Sequence, residues 1–504
     1  MSAAPAAARS APAGLARFLT WLRYGPGIAA AGLAAARLGL LRDLAAGPRT
    51  AAELAAGHGL SERATRVVLE SLLAARVLRR PAGGGFAMAR DAPWLHEGAP
   101  LHALLGRAGR DWEALGALDV PLRAGDLGAA PLATAAALLG EAPPPADLAE
   151  QLRHPHCRWL LHALLDGALR HSTLAAARRL GVLEPLLTGE GDPEAGLSPA
   201  AFALLRRLLQ AAGVLEAGAG PPALTTAAGR VLVGPGHATY LPRLALEDEY
   251  WRAYGRLDET LRTDRPVMGL DEPDRGGAFY AGLARANVSV LAGYLAGARA
   301  AARLFAGWAP PAARVVDVGT GSGVWAAAFA HQLPGSRVTL VDWGPVLAAA
   351  EPLHRRLGLA DAVRVAADVR DLRLEAGGSD LVLMGQLCHT LDRRALPALL
   401  AEASRALAPG GALLIGDQVL NRDRTGPPQR LLFGLKMLVG TRGEVLSWPE
   451  YAALLRGAGF TEAVLIDLPN LDLGLIAATR DRPPPGPAEG LDPGWRRQRL
   501  LGRA

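Results

Sequence analysis

The sequence predicts an α/β chain in which two mainly α winged-helix repeats precede a Rossmann-like domain of parallel strands and helices. Three observations carry this reading. A helical pattern recurs after about 140 residues. A glycine-rich turn closes a Val-rich strand at residues 315–323, and from Arg314 onward short apolar strands alternate with helices.

Composition bounds the alternatives. A chain of 504 residues, half of them apolar and a fifth charged, has material for several buried cores and is not a disordered chain. The net charge of +6 is nearly all arginine, with Lys436 the only lysine, and the arginines are scattered among acids, so the basic balance is read as background and no nucleic-acid partner is expected. Two cysteines, Cys157 and Cys388, are too few for a disulfide framework or a zinc cluster, so no metal is expected and a cytoplasmic location fits. Arg17, Arg23 and Pro26 interrupt any signal-peptide core, and no charge-free apolar run is long enough to cross a bilayer, so no membrane partner is expected.

In the repeat, residues 34–41 (A-A-A-R-L-G-L-L) return as residues 176–183 (A-A-R-R-L-G-V-L), and residues 71–78 return as 208–215. Further on, residues 111–123 parallel 250–262, with Trp112 answering to Trp251 and Asp119 to Asp258. In the first copy the apolar spacing predicts a helix over 29–45. Thr50 and Glu53 form a capping box on a short helix, and Ser61 caps a longer helix carrying Val67, Val68, Leu72 and Leu73. Val77-Leu78, a glycine hairpin at 83–85 and Phe86 make the wing. In the second copy Ser198-Pro199 opens the long helix and residues 223–225 form the wing strand.

In the α/β half, the strand candidates are 315–316, 338–341, 363–365, 381–384 and 413–415. The first ends in D-V-G-T-G-S-G, where Asp317, Gly319, Gly321 and Gly323 form a strand-to-helix turn that lets a ligand approach the backbone. The second ends at Asp342-Trp343, about 20 residues beyond the glycines, where an acid can hydrogen-bond a ribose diol. The third ends at Asp368-Val369 beside the same crevice. Together they point to a nucleoside-containing ligand.

These motifs, with residues 407–417 (L-A-P-G-G-A-L-L-I-G-D), resemble class I S-adenosylmethionine-dependent methyltransferases. Residues 342–347, 386–392, 433–439 and 450–460 resemble more narrowly the O-methyltransferase family of bacterial natural-product and plant phenolic pathways. The resemblance implies S-adenosyl-L-methionine as cofactor, a small hydroxyl acceptor of aromatic or polyketide type in secondary metabolism, and a winged-helix dimerisation domain, hence a homodimer. It implies a general base at His389, just after the fourth strand, with Asp417 after the fifth holding its imidazole. The second family acid falls nearest to Val445, which makes Glu444, one position away, its candidate. Phe279, Tyr280 and Asn287 are candidates for the acceptor pocket.

Other readings stay open. Carbon or nitrogen methylation, or a non-methylating reaction of the same cofactor, would use the same crevice. A ligand-sensing DNA-binding regulator would use the winged helices, yet the helix after Ser61 offers only Arg63 and Arg66, among Glu62 and Glu70, to a groove. The expected plan is a disordered segment 1–20, a first repeat 21–130, a Pro/Ala-rich linker 131–160, a second repeat 161–265, a helical connector 266–310, a catalytic domain 311–480 and a mobile tail 481–504. Intramolecular pairing of the two repeats is the alternative to a homodimer.

Overall fold

Pro26 does not stop the first helix, α1 (Ala13–Arg37), which ends only where Gly39, at φ +78°, turns the chain into α2 (Leu40–Ala46). The single helix expected over 29–45 is thus two, because only a glycine adopts that left-handed turn without strain. The computed structural model describes residues 13–90, 112–144, 149, 153, 155–194, 196–233, 240–286, 291–468, 473–485 and 496–502. Asp111, Asn287 and residues 1–12 therefore lie outside the described residues, whereas residues 13–20, expected to be disordered, are helical.

The capping signals act where they were read. Thr50 accepts from the Glu53 amide at the start of α3 (Ala51–His58), and Ser61 accepts from the Ala64 amide at the start of α4 (Glu62–Ala74). Strands β1 (Leu78–Arg79) and β2 (Ala87–Met88) then pair as an antiparallel ribbon. Three short helices follow, α5 (Trp112–Gly116), α6 (Asp119–Ala124) and α7 (Ala130–Leu138). The last replaces part of the expected linker, since Pro131 at its first turn starts a helix as readily as it breaks one. The second copy runs through α8 (Pro155–Arg179), α9 (Leu183–Thr188), α10 (Pro199–Ala211) and α11 (Thr226–Leu232), with a lone bridge Leu215–Leu224 in place of a ribbon. Beyond it come α12 (Leu241–Tyr254), α13 (Leu257–Thr263), α14 (Pro273–Ala286) and α15 (Leu291–Phe305).

The chain divides into two compact units, and the division does not follow the repeats. One unit is Met1–Ala29 with Arg110–Leu241; the other is Ala30–Gly109 with Pro242–Ala504. In the second unit α4 packs on the helix Pro428–Gly440 of the α/β part, burying Val67, Val68 and Leu72. It is therefore the first copy that is grouped with the α/β part.

The α/β part is built on β3 (Arg314–Val318), β4 (Arg337–Asp342), β5 (Val363–Ala366), β6 (Ser379–Gly385), β7 (Leu407–Asp417), β10 (Glu462–Leu468), β11 (Leu473–Thr479) and β12 (Arg496–Leu501). Their order is β12-β10-β11-β7-β6-β3-β4-β5; β3 to β7 are parallel, and β11 runs antiparallel to β7. Two further short strands, β8 (Val419–Leu420) and β9 (Leu446–Ser447), pair separately. The tail expected to be mobile carries β12, which completes the open edge of β10 and buries Leu500 and Leu501. The helices of this part are α16 (Val324–Gln332), α17 (Gly344–Arg356), α18 (Leu396–Ala406), α19 (Pro428–Gly440) and α20 (Trp448–Gly457). Phe305, Trp325 and Phe329 fill one apolar layer, and Leu400, Tyr451 and Phe460 another.

Because β3 has β4 on one side and β6 on the other, the strand order reverses at β3. The carboxyl ends of β3, β4 and β6 open a crevice there, the usual place for a ligand in a parallel sheet.

Candidate active site

The glycine turn after β3 is held from both sides. The Gly319 and Thr320 amides donate to the Val341 carbonyl at 2.8 and 3.1 Å. Gly319, Gly321 and Gly323 all have φ between +51° and +76°. A Cβ on Gly319 would lie 2.8 Å from Leu387, whereas one on Gly321 would meet nothing within 4 Å. That open face is where a ligand can lie against the backbone.

Two acids stand at the turn and a third follows β5, each in a different state. Asp317 lies beneath it, where Oδ2 accepts from Thr320 Oγ1 at 2.8 Å and from the Ala326 amide at 3.2 Å. Its Oδ1 is buried with no hydrogen-bond partner among the described residues, and burial pushes the carboxyl up to about 7. Asp342, at the end of β4, accepts from the Gly321 amide at 2.8 Å and the Trp343 amide at 2.7 Å. Burial pushes it up to about 6 despite these two donors. Asp368 is clamped by the Arg370 guanidinium at 2.9 and 2.5 Å, which holds it below the usual carboxylate range. Val369 is half-buried against the Met384 and Cys388 layer. The Trp343 ring fits because residue 276 is glycine, where a Cβ would come within 2.5 Å of it. An aromatic chain leads away through Tyr280, Phe279 and Tyr250, with centroids 6.1, 5.5 and 5.9 Å apart.

Across the crevice, Gln386 at φ +59° ends β6, and a single 3-10 turn, Cys388–Thr390, follows. His389 is buried on this turn. Its Nδ1 is hydrogen-bonded to Asp417 Oδ1, its amide donates to Asp417 Oδ2 at 3.0 Å, and the Phe433 ring meets the imidazole edge to face at 4.8 Å. Asp417 has no exposed surface and receives two further donors, the Gln418 amide at 2.6 Å and Tyr451 Oη at 2.9 Å. With Nδ1 facing a carboxylate, Nε2 is left as the nitrogen that can accept a proton. Tyr451 was not singled out by the sequence reading. It lies in the segment 450–460 that carried the resemblance, but a tyrosine on an amphipathic helix reads as core until its hydroxyl has an address. Burial pushes both the Tyr451 hydroxyl and the Cys388 thiol up, so each stays protonated.

Glu444 sits differently. Its Oε2 accepts from Arg66 of the first copy at 2.6 Å and its Oε1 from Arg393. Burial works against its charge, yet Arg66, Arg393 and Arg424 together keep its pKa below the usual value. The pairs continue: Arg66 with Glu70, Arg424 with Glu70 and Glu450, and Arg393 with Glu450 close a ring of three arginines and three glutamates. Arg63 donates to the Gly443 carbonyl at 3.2 Å, and Gly443 presses so close that a Cβ would overlap the His389 carbonyl. Arg63 and Arg66, the two basic residues of the helix after Ser61, are thus engaged within the protein.

The O-methyltransferase domain family matches residues 302–461. The chain is 30% identical over 323 residues to 3-hydroxy-5-methyl-1-naphthoate 3-O-methyltransferase of Streptomyces sahachiroi, covering 60% of this chain and 89% of that protein. It is 30% identical over 299 residues to the tetracenomycin polyketide synthesis 8-O-methyl transferase of Streptomyces glaucescens, covering 55% of this chain and 83% of that one. Among solved structures, human N-acetylserotonin methyltransferase in complex with S-adenosylmethionine superposes with a TM-score of 0.55 at 22% identity, over 64% of this chain and 97% of that one. That likeness shows the fold. No helix of the described residues is long and apolar enough to cross a membrane.

Proposed function

We propose, from the premise that this chain belongs to the S-adenosylmethionine-dependent O-methyltransferase family, that it methylates a hydroxyl of an aromatic or polyketide-type acceptor in secondary metabolism. The observation that carries the reading is the buried His389–Asp417 pair just beyond β6, the strand that lies beside β3 and its glycine turn.

The crevice suits the cofactor. The open face above Gly321 leaves room against the backbone, the unpartnered Oδ1 of Asp317 offers an acceptor for an ammonium group, and Asp342 offers acceptors for a ribose diol. Trp343, with Asp368 and Val369, would stand at the adenine end. When bound, the cofactor supplies a methyl group on a sulfonium, an electrophile that needs a well-placed nucleophile. His389 Nε2 takes the proton of the acceptor hydroxyl as its oxygen becomes that nucleophile. Asp417 fixes the tautomer through Nδ1 and steadies the imidazolium that forms. Asp417 is itself held by Tyr451, Gln418 and the His389 amide.

Glu444 has both oxygens committed to arginines, so its part is to position the segment that backs His389. Each copy, three helices and a short β element, is read as a winged helix used for packing. The apolar face of α4 against α19 favours this over a DNA-reading role. Tyr280 packs on Trp343 and Phe279 on Tyr280, which puts both beside the adenine end, so the acceptor pocket is not assigned to them.

The test is mass spectrometry of products from a panel of phenols and polyketides incubated with the cofactor. Gain of a methyl group on oxygen, lost in His389→Ala, is the expected result. Products methylated only on carbon or nitrogen, or the cofactor consumed without methyl transfer, would overturn the reading.

A further inference from the structure

The two copies exchange partners. Arg37 and Arg179 are equivalent in the repeat, as are Asp119 and Asp258. A chain of two self-contained copies would pair Arg37 with Asp119 and Arg179 with Asp258. The structure pairs them the other way: Arg37 Nη2 lies 2.7 Å from Asp258 Oδ1, and Arg179 Nε donates to Asp119 Oδ1 at 2.7 Å.

The helices cross over in the same sense. In one unit α4 of the first copy packs on α13, and Ser61 Oγ donates to Asp264 Oδ1 at 2.7 Å. In the other unit α10, the counterpart of α4, packs on α6, the counterpart of α13. Extending the register of the match backward sets Gly25 on Gly167, and these two meet each other. A Cβ on Gly25 would lie 2.4 Å from the Gly167 backbone, and one on Gly167 would lie 2.9 Å from the Gly25 Cα. Contact of equivalent residues with each other, together with reciprocal i-to-j and j-to-i pairs, is what two like copies make when they exchange the same segment.

We infer that each copy is completed by the trailing helices of the other, so that the chain supplies to itself the partner a homodimer would supply and works as a monomer with one active site. The asymmetry fits. Only the second copy continues into an α/β part, and it is the first copy that packs on that part and sends Arg66 to Glu444. This takes the place of the homodimer expected from the sequence.

Sedimentation velocity of the full chain, from nanomolar to tens of micromolar, is expected to show one species at the chain mass of 52.4 kDa. A second measurement uses charge reversal, read by thermal unfolding. Arg37→Asp and Asp258→Arg are each expected to lower the melting temperature by about 2–6 °C. The two reversals placed in one chain should restore it, and mixing the two single variants should not. A dimeric wild type, recovery on mixing as two chains complement each other, or single variants that melt unchanged would each overturn the proposal.

Discussion

Arg66 of the first helical copy donates to Oε2 of Glu444 at 2.6 Å, joining a helix near the amino terminus to the segment that backs the candidate base. Glu444 is 4% exposed, and its other oxygen is taken by Arg393. A buried carboxylate tolerates its charge only while such partners remain.

Arg66→Ala is expected to destabilise the fold by about 1–3 kcal/mol, the cost of leaving a buried group partly unpaired. Denaturant unfolding measures it. If Glu444 acts by position, Glu444→Gln should lower stability and rate together while leaving affinity for the demethylated cofactor intact. A large loss of rate without loss of stability would instead assign Glu444 to the chemistry.

His389→Ala is expected to keep cofactor affinity and to lower kcat with a hydroxyl acceptor by roughly 10² to 10⁴, the usual contribution of a positioned base. Asp417→Asn should cost less. Calorimetry with the demethylated cofactor separates binding from rate, and a full rate in His389→Ala would show that the nucleophile needs no base.

Tyr451→Phe removes one of four donors to Asp417 and keeps the ring. Loss of a buried hydrogen bond of about 1 kcal/mol corresponds to a kcat reduced about 5-fold, with KM little changed. An unchanged kcat would leave Tyr451 a packing role alone.

Asp342 titrates near pH 6, and its protonated form lacks one acceptor for the ribose. Affinity for the demethylated cofactor should fall as pH drops through about 7 and then about 6, where Asp317 and Asp342 in turn take up protons. Asp342→Asn should flatten the lower part of that dependence, and Asp342→Ala should weaken binding by about 1.5–3 kcal/mol per lost bond. The sign for folding is opposite. The folded pKa values of Asp342 and Asp317 exceed the unfolded ones, so the ligand-free protein loses stability as pH rises from about 4 through about 6 and 7. Calorimetry and thermal unfolding over this range check both.

The local elements were legible because their causes are local. Gly319, Gly321 and Gly323 read as a turn because glycine takes that backbone without strain; Thr50, Ser61 and Ser198 read as caps because their partners lie three residues on. The five parallel strands β3 to β7, and the acids and histidine at their ends, follow from apolar runs of strand length, and a parallel sheet brings such ends to one side. Tertiary structure decided what depends on residues far apart in the chain. The Tyr451 hydroxyl finds Asp417 across 34 positions, and Arg66 finds Glu444 across 378. Residues 496–501 became a strand because β10 had an open edge, which no local pattern announces. The repeat was visible in the sequence, but which copy completes which was not. Equivalent residues offer equal chemistry to either partner, and only the packed chain, with Gly25 against Gly167, chooses between them.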